Sequence, residues 1–247
     1  MIDSLMQSSD DQVCKYAPIE EAESLERYRP GGYHPLVIGD TVKDRYRIVH
    51  KLGHGTYSTT WLCRDGQSNS YVALKVGTGD SNFQEADVLG HLNSSGPSLH
   101  HPGRAMMPTI QDRFILDGIN GSHPCYVTVP AMCSISSAKD GSNNRLFKAN
   151  TARSIIAQLV LAVAYIHDMG IVHGDLHMGN VLLRLQSDFT GLSIEQVYQK
   201  YGTPNSQAVT RLDDKPLPPN VPPTATPPIW LGKASDEFLP SEARVLL

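Results

Sequence analysis

Cysteine is scarce in this sequence. The four present (Cys14, Cys63, Cys125 and Cys133) include no CxxC pair and no His/Cys cluster at metal-ligand spacing. A disulfide scaffold and a zinc module are therefore excluded, and free thiols in a reducing compartment are expected. Charge of either sign is not in excess: the formal net charge is −4, which offers no broad surface for nucleic acid or membrane. No stretch approaches the roughly 18 consecutive apolar residues of a membrane helix. Met1 to Lys15 is polar and acidic, unlike the basic start and apolar middle of a signal peptide. A soluble protein of the cytoplasm or nucleus is expected, with no direct nucleic-acid or membrane partner. The 247 residues, 40% of them hydrophobic, suffice for one large or two small domains.

Residues 1–34 are polar, acidic and end near Gly31-Gly32; they read as a flexible arm. From Tyr46 the pattern becomes β-rich. Tyr46 to Leu52 and Thr59 to Cys63 predict a hairpin over a glycine-rich tip. Tyr71 to Val76, Phe114 to Leu116 and Tyr126 to Val129 predict three further strands. Phe83 to Leu92 carries apolar residues at helical spacing. Five antiparallel strands with one helix after the third make an α+β lobe over 35–133. A long helix follows, with Thr151 as its cap and Ile155, Ile156, Leu159, Val160, Val163 and Ile166 at three- and four-residue intervals. Gly170 suits its C-terminus. Ile171 to Leu183 then reads as strand, polar loop, strand, so 134–183 begins a second, helical lobe. Beyond it, 184–247 holds one weak helix (Ile194 to Lys200) and a proline-rich tract, Pro216 to Pro228, expected to be extended and poorly packed.

Four features carry chemistry. Gly53 and Gly55 lie on a hairpin tip, where missing Cβ atoms let backbone N–H groups approach phosphate, although a tight turn needs glycine too. Lys75, in Val-Ala-Leu-Lys, lies among buried strand residues and needs phosphate or carboxylate for its ammonium, unless it is simply solvated. Glu85 on the following helix is the obvious carboxylate, or else a surface glutamate. In His173-Gly-Asp175-Leu-His-Met-Gly-Asn180, Asp175 can accept a hydroxyl proton while the Asn180 amide oxygen binds Mg²⁺; an Asx-rich turn is the plain alternative. The order of these parts matches that of protein-kinase phosphoryl transfer.

On these residues the chain resembles eukaryotic protein kinases, and among them the SR-protein kinases, especially fungal ones. Tyr28 to Asp40 is similar to that family's opening segment. Lys51 to Leu62 resembles its glycine loop, with Ser58 at the third glycine, and His173 to Asn180 resembles its catalytic loop. The 184–244 stretch occupies the place of the family's inserted spacer. The resemblance implies a kinase N-lobe and the start of a C-lobe, with ATP and Mg²⁺ as cofactors. Its implied nucleotide contacts are Leu52, Gly53, His54, Gly55, Thr56, Tyr57, Ser58 and Thr60 over ATP, and Lys75 on the α- and β-phosphates, paired with Glu85. Thr128 is the implied gatekeeper of a hinge running to Met132, Asp175 the base and Asn180 the metal ligand. Protein substrates rich in Arg-Ser, such as splicing factors, are implied as partners. Gly174 replaces a common arginine and His177 a common lysine, which weakens contact to the transferred phosphate at neutral pH. No Asp-Phe-Gly follows, and Asp188-Phe189-Thr190 is a poor substitute. Ser241 to Leu247 resembles the stretch just before that motif, so the expectation is a fragment inactive alone. The loop's His-Gly-Asp-Leu-His-x-Gly-Asn pattern also occurs in small-molecule phosphotransferases, and a non-catalytic nucleotide-binding fragment is a third reading.

Overall fold

The computed structural model describes residues 14–94, 100–185 and 187–247, for 187 and 188 the backbone only. Its centre is a six-stranded antiparallel sheet: β1 (Thr41–Val42), β2 (Tyr46–Gly55), β3 (Ser58–Asp65), β4 (Ser70–Gly77), β5 (Asp112–Gly118) and β6 (Gly121–Thr128), in the order β1-β2-β3-β4-β6-β5. The five expected strands are present, joined by the two-residue β1. One helix, α1 (Gln84–Asn93), follows β4. Alternation sets the faces: Tyr46, Ile48, Trp61, Cys63, Val72, Leu74, Val76, Phe114, Cys125 and Val127 fill one core, while Val49, Leu62 and Tyr71 face another.

The C-terminal side starts with β7 (Ala131–Ser134) and α2 (Ile135–Asp140), then α3 (Ala149–Asp168) and β8 (Leu182–Arg184). Thr151 does not cap α3. The helix starts two residues earlier, and the buried Thr151 hydroxyl donates to the Phe238 carbonyl at 2.8 Å instead. A hydroxyl in the first turn thus served a distant chain segment rather than its own helix end. Nor do Ile171 and Val172 form a strand; Val172 is exposed, having no neighbouring strand to pair with. By length and apolar content α3 meets the measure of a membrane span. Its buried stripe of Ala162, Tyr165 and Ile166 packs on Leu92 and Met107 in a protein core.

Pro216 to Pro228, expected to be poorly packed, lies within a 184–247 segment in which Val221 and Ala225 are buried. The segment contains α4 (Ile194–Tyr201), the strand pair β9 (Gln207–Ala208) and β10 (Thr224–Ala225), and β11 (Val245–Leu246), which pairs with β8. Its apolar residues are too scattered to make a core of their own, yet many find one already built, while Leu212, Trp230 and Leu239 stay exposed. Phe189, Val197, Leu231, Phe238 and Val245 join the cluster around Val49 and Tyr71. Val209, Val221 and Ala225 cover Tyr16, Leu25, Tyr28 and Tyr33. That second cluster also corrects the flexible arm: from residue 14 onward the N-terminal segment is docked, because its aromatic residues have a partner surface that only the distant segment supplies. Residues 1–13 lie outside the described ones.

Where the N-terminal segment crosses the sheet edge, His34 and His123 meet edge to face with ring centroids 4.8 Å apart. Among the described residues, His34 Nδ1 and His123 Nε2 have no hydrogen-bond partner. Burial, and then the neighbouring ring, push the His34 pKa down to about 4; burial lowers His123 too, with Asp117 acting the other way. The unfolded chain therefore takes up protons first, near pH 6.5, so stability is full above that pH and is lost as the pH falls towards 4. The thermal midpoint should fall by roughly 3–6 °C between pH 7 and pH 5, and His34→Phe should flatten that slope. A midpoint independent of pH over this range would show that the pair is solvated.

Candidate functional site

Gly53, Thr60, Lys75 and Tyr126 form one continuous register row across β2, β3, β4 and β6. Directly paired residues point to the same face and lie about 4.5–5.5 Å apart, so Lys75 stands two positions from Gly53 on that face. Its ammonium meets both carboxylate oxygens of Glu85 on α1, at 2.7 and 2.6 Å. The Tyr126 ring lies 5.6 Å from the same nitrogen. Burial, and then Glu85, push the Tyr126 hydroxyl well above its ordinary range. Glu85 is more than half exposed and Lys75 29% exposed, so the pair orients the lysine without sequestering it; its worth to stability is small. Lys75 reads as a held, accessible cation rather than a solvated surface lysine.

The β2–β3 turn falls on Thr56 and Tyr57, between Gly55 and Ser58. Neither Gly53 nor Gly55 has a positive φ, and a Cβ built on either would meet nothing within 4 Å. The fold does not require glycine there. What the two glycines provide is an open backbone edge beside Lys75, of the kind phosphate oxygens approach. Tyr57 stands out into solvent at the tip, and Leu52 packs at the base of the loop.

The second group lies after α3. Met169 closes the helix, and Gly170 leaves it with φ +74°. At the far end Val181 is buried, its carbonyl accepting from Ile135 N–H at 2.9 Å, and Ser136 N–H donates to Met178 at 3.1 Å. Between these anchors the loop is held by its own polar groups. Asn180 Nδ2 donates to the Asp175 carbonyl at 3.0 Å and to Asp175 Oδ2 at 2.9 Å. Asp175 N–H donates to His173 Nδ1 at 3.3 Å, and His177 Nε2 lies 3.7 Å from Asp175 Oδ2. Gly174 has φ +77°, a left-handed conformation that suits glycine and strains other residues. The outcome is an exposed, oriented carboxylate beside an amide whose oxygen accepts no hydrogen bond among the described residues.

The structure thus brings Lys75 to Glu85, the glycine loop to Lys75, and Asp175 to Asn180. No hydrogen bond among the described residues joins the lysine pair to the aspartate loop. Thr128 ends β6, its hydroxyl donating to Val129 O at 3.3 Å, whereas the Met132 side chain is buried in the core. Pro130 between them offers no backbone donor. The side chain of Asp188 lies outside the described residues. Residues 46–195 match the protein kinase domain family. The chain belongs to the protein kinase family. Kinases similar to it include SRSF protein kinase 3 of Homo sapiens, 35% identical over 66% of this chain and 30% of its own length. Serine/threonine-protein kinase SKY1 of Saccharomyces cerevisiae is 34% identical over 66% of this chain and 23% of its own. Serine/threonine-protein kinase spk-1 of Caenorhabditis elegans is 33% identical over 68% and 17%. This kinase chain therefore spans less than a third of the length of these three relatives. A kinase-domain crystal structure shares the fold, with a TM-score of 0.53 and 18% identity over 81% of this chain and 53% of that one.

One part of the site lay outside the sequence reading. Lys51, at the base of the glycine loop, is fully buried and paired with Glu23, whose other carboxylate oxygen accepts from the Tyr28 hydroxyl. Burial pushes the Glu23 carboxyl up, but Lys51 and Tyr28 outweigh it and hold it below the usual range. Tyr16, Ile19, Leu25, Tyr28 and Tyr33, apolar at scattered intervals in an otherwise polar segment, were the signal that could have found it.

Proposed function

We propose that this chain supplies the ATP-binding face and the catalytic loop of an SR-type serine/threonine protein kinase. The observation that carries the reading is the Lys75–Glu85 pair in the same sheet row as Gly53 and Thr60. In this reading Leu52 to Thr60 cover the nucleotide and Lys75 holds its phosphates. Thr128 to Met132 border the adenine, and Asp175 takes the proton from a substrate hydroxyl. Mg²⁺, when bound, neutralises charge on the phosphates. The Asn180 amide oxygen fits it as a hard donor, its nitrogen being engaged by Asp175. Among the described residues no three His, Cys, Asp or Glu side chains cluster as a metal cage, which suits an ion held chiefly by nucleotide oxygens and water.

Arg-Ser-rich splicing factors are the proposed substrates, and a cytoplasmic or nuclear site of action goes with them. The reading has two halves, nucleotide binding by the Lys75 face and proton removal by Asp175. Titration with a fluorescent ATP analogue tests the first half. Binding should weaken about 10- to 100-fold in Lys75→Ala, the loss expected for one charge-assisted contact of about 1.5–3 kcal/mol. Superimposable curves for the two proteins would take the phosphate-binding role from Lys75.

A further inference from the structure

We propose that Tyr33 is a positioning residue for the nucleotide phosphates, fixing the glycine loop from the N-terminal segment behind it. The inference rests on the nucleotide-binding reading above. Tyr33 is 3% exposed, and its hydroxyl donates to the Gly55 carbonyl at 2.7 Å. Gly55 is the second glycine of the loop and the residue just before its turn. Neither glycine carries a side chain that could pack, so at Gly53 and Gly55 the pose of the loop depends on backbone contacts. Thr78 N–H holds the tip on its outer side by donating to the Tyr57 carbonyl at 2.9 Å, and ordering the rest of the loop for phosphate carries an entropic cost. A hydrogen bond from a buried, immobile phenol meets part of that cost before the nucleotide arrives.

Tyr33 itself is held on several sides. Its ring lies 4.9 Å from the Arg27 guanidinium and 5.6 Å from the Tyr28 ring. Its carbonyl accepts from Asn120 Nδ2 at 2.7 Å, and the same amide donates to Asn220 O at 3.0 Å. The adjoining Gly31-Gly32 turn is stitched to Gly79 and Asp80 after β4 by two bonds of 2.9 Å. A second, outer tie joins His54 Nε2 to the Glu21 carbonyl at 3.2 Å, and the Glu23–Lys51 pair fixes the loop's base. The Val209–Ala225 region closes over this segment. The loop over the phosphates is thus braced by two segments that contribute no atom to the phosphate-facing sheet row.

The position of the contact gives the inference a distinctive signature. Gly55 lies where phosphates approach, away from the hinge side of the site, so the brace acts on phosphate affinity and not on the base. In the full 247-residue chain, Tyr33→Phe should weaken ATP-analogue binding about 3- to 10-fold, the range of one ordinary hydrogen bond. Adenosine binding should stay within error of the parent, and the thermal midpoint should shift little, because the ring remains packed. Equal weakening of adenosine and ATP, or an unchanged affinity for both, would overturn the brace. If the parent protein binds neither ligand, the nucleotide-binding reading itself fails.

Discussion

Replacing Glu23 by leucine, or Lys51 by methionine, should each destabilise the chain by about 3–5 kcal/mol. Both side chains are about 1% exposed, and Lys51 also lies 4.9 Å from the Trp61 ring. Removing one partner leaves the other as an uncompensated charge in a low-dielectric site, with Tyr28 still directed at it. The pair itself need not be worth that much, since desolvation offsets most of its attraction. Glu23→Leu combined with Lys51→Met should therefore recover to within about 1–2 kcal/mol of the parent. Urea unfolding of the four proteins decides it. If the double variant lost the sum of the single losses, the two residues would not be coupled, and the docking of 14–34 would rest on its aromatic residues alone.

That ion pair marks the limit of what the sequence displayed. The sheet was legible because each strand repeats its pattern within about eight residues, and β2–β3 and β5–β6 join strands that neighbour in sequence. The Lys75–Glu85 and Asp175–Asn180 contacts were legible because the partners lie ten and five residues apart, in short runs with a clear pattern. Glu23 and Lys51 are 28 residues apart, and Val221 reaches the Tyr28 cluster from nearly 200 residues away. Neither segment has a period or composition that announces its partner, so both read as solvated chain. Thr151 failed similarly: a hydroxyl near a helix start can accept from its own helix's N–H groups or donate elsewhere, and here it donates to Phe238 O, 87 residues away. Proline richness misled for a related reason. Residues that cannot donate to a ladder are ill suited to build a core but well suited to run extended across one already formed.

Replacing Asp175 by asparagine should lower the rate of phosphoryl transfer about 10²- to 10⁴-fold, the usual contribution of a general base, in whatever length of the protein gives measurable transfer. The substitution keeps the side chain's shape. An asparagine oxygen can still accept from Asn180 Nδ2, a bond that now measures 2.9 Å, and the loop's anchors at Val181 and Met178 do not involve the side chain. What disappears is a carboxylate able to take a proton from a substrate hydroxyl. The loss should accordingly appear in kcat, with affinity for the ATP analogue within about threefold of the parent. Lys75→Ala is expected to show the reverse emphasis, a weakened affinity. Labelled-phosphate transfer to an Arg-Ser-rich peptide, with KM and kcat measured separately, distinguishes the two. If Asp175→Asn retained its rate, the exposed carboxylate would be no more than an Asx turn satisfying its own loop, and the base would have to be sought elsewhere. If it lost ATP affinity as well, the Asp175–Asn180 contact would be shaping the metal site rather than the proton transfer; Asn180→Ala would then reproduce the defect, and raised Mg²⁺ would relieve both.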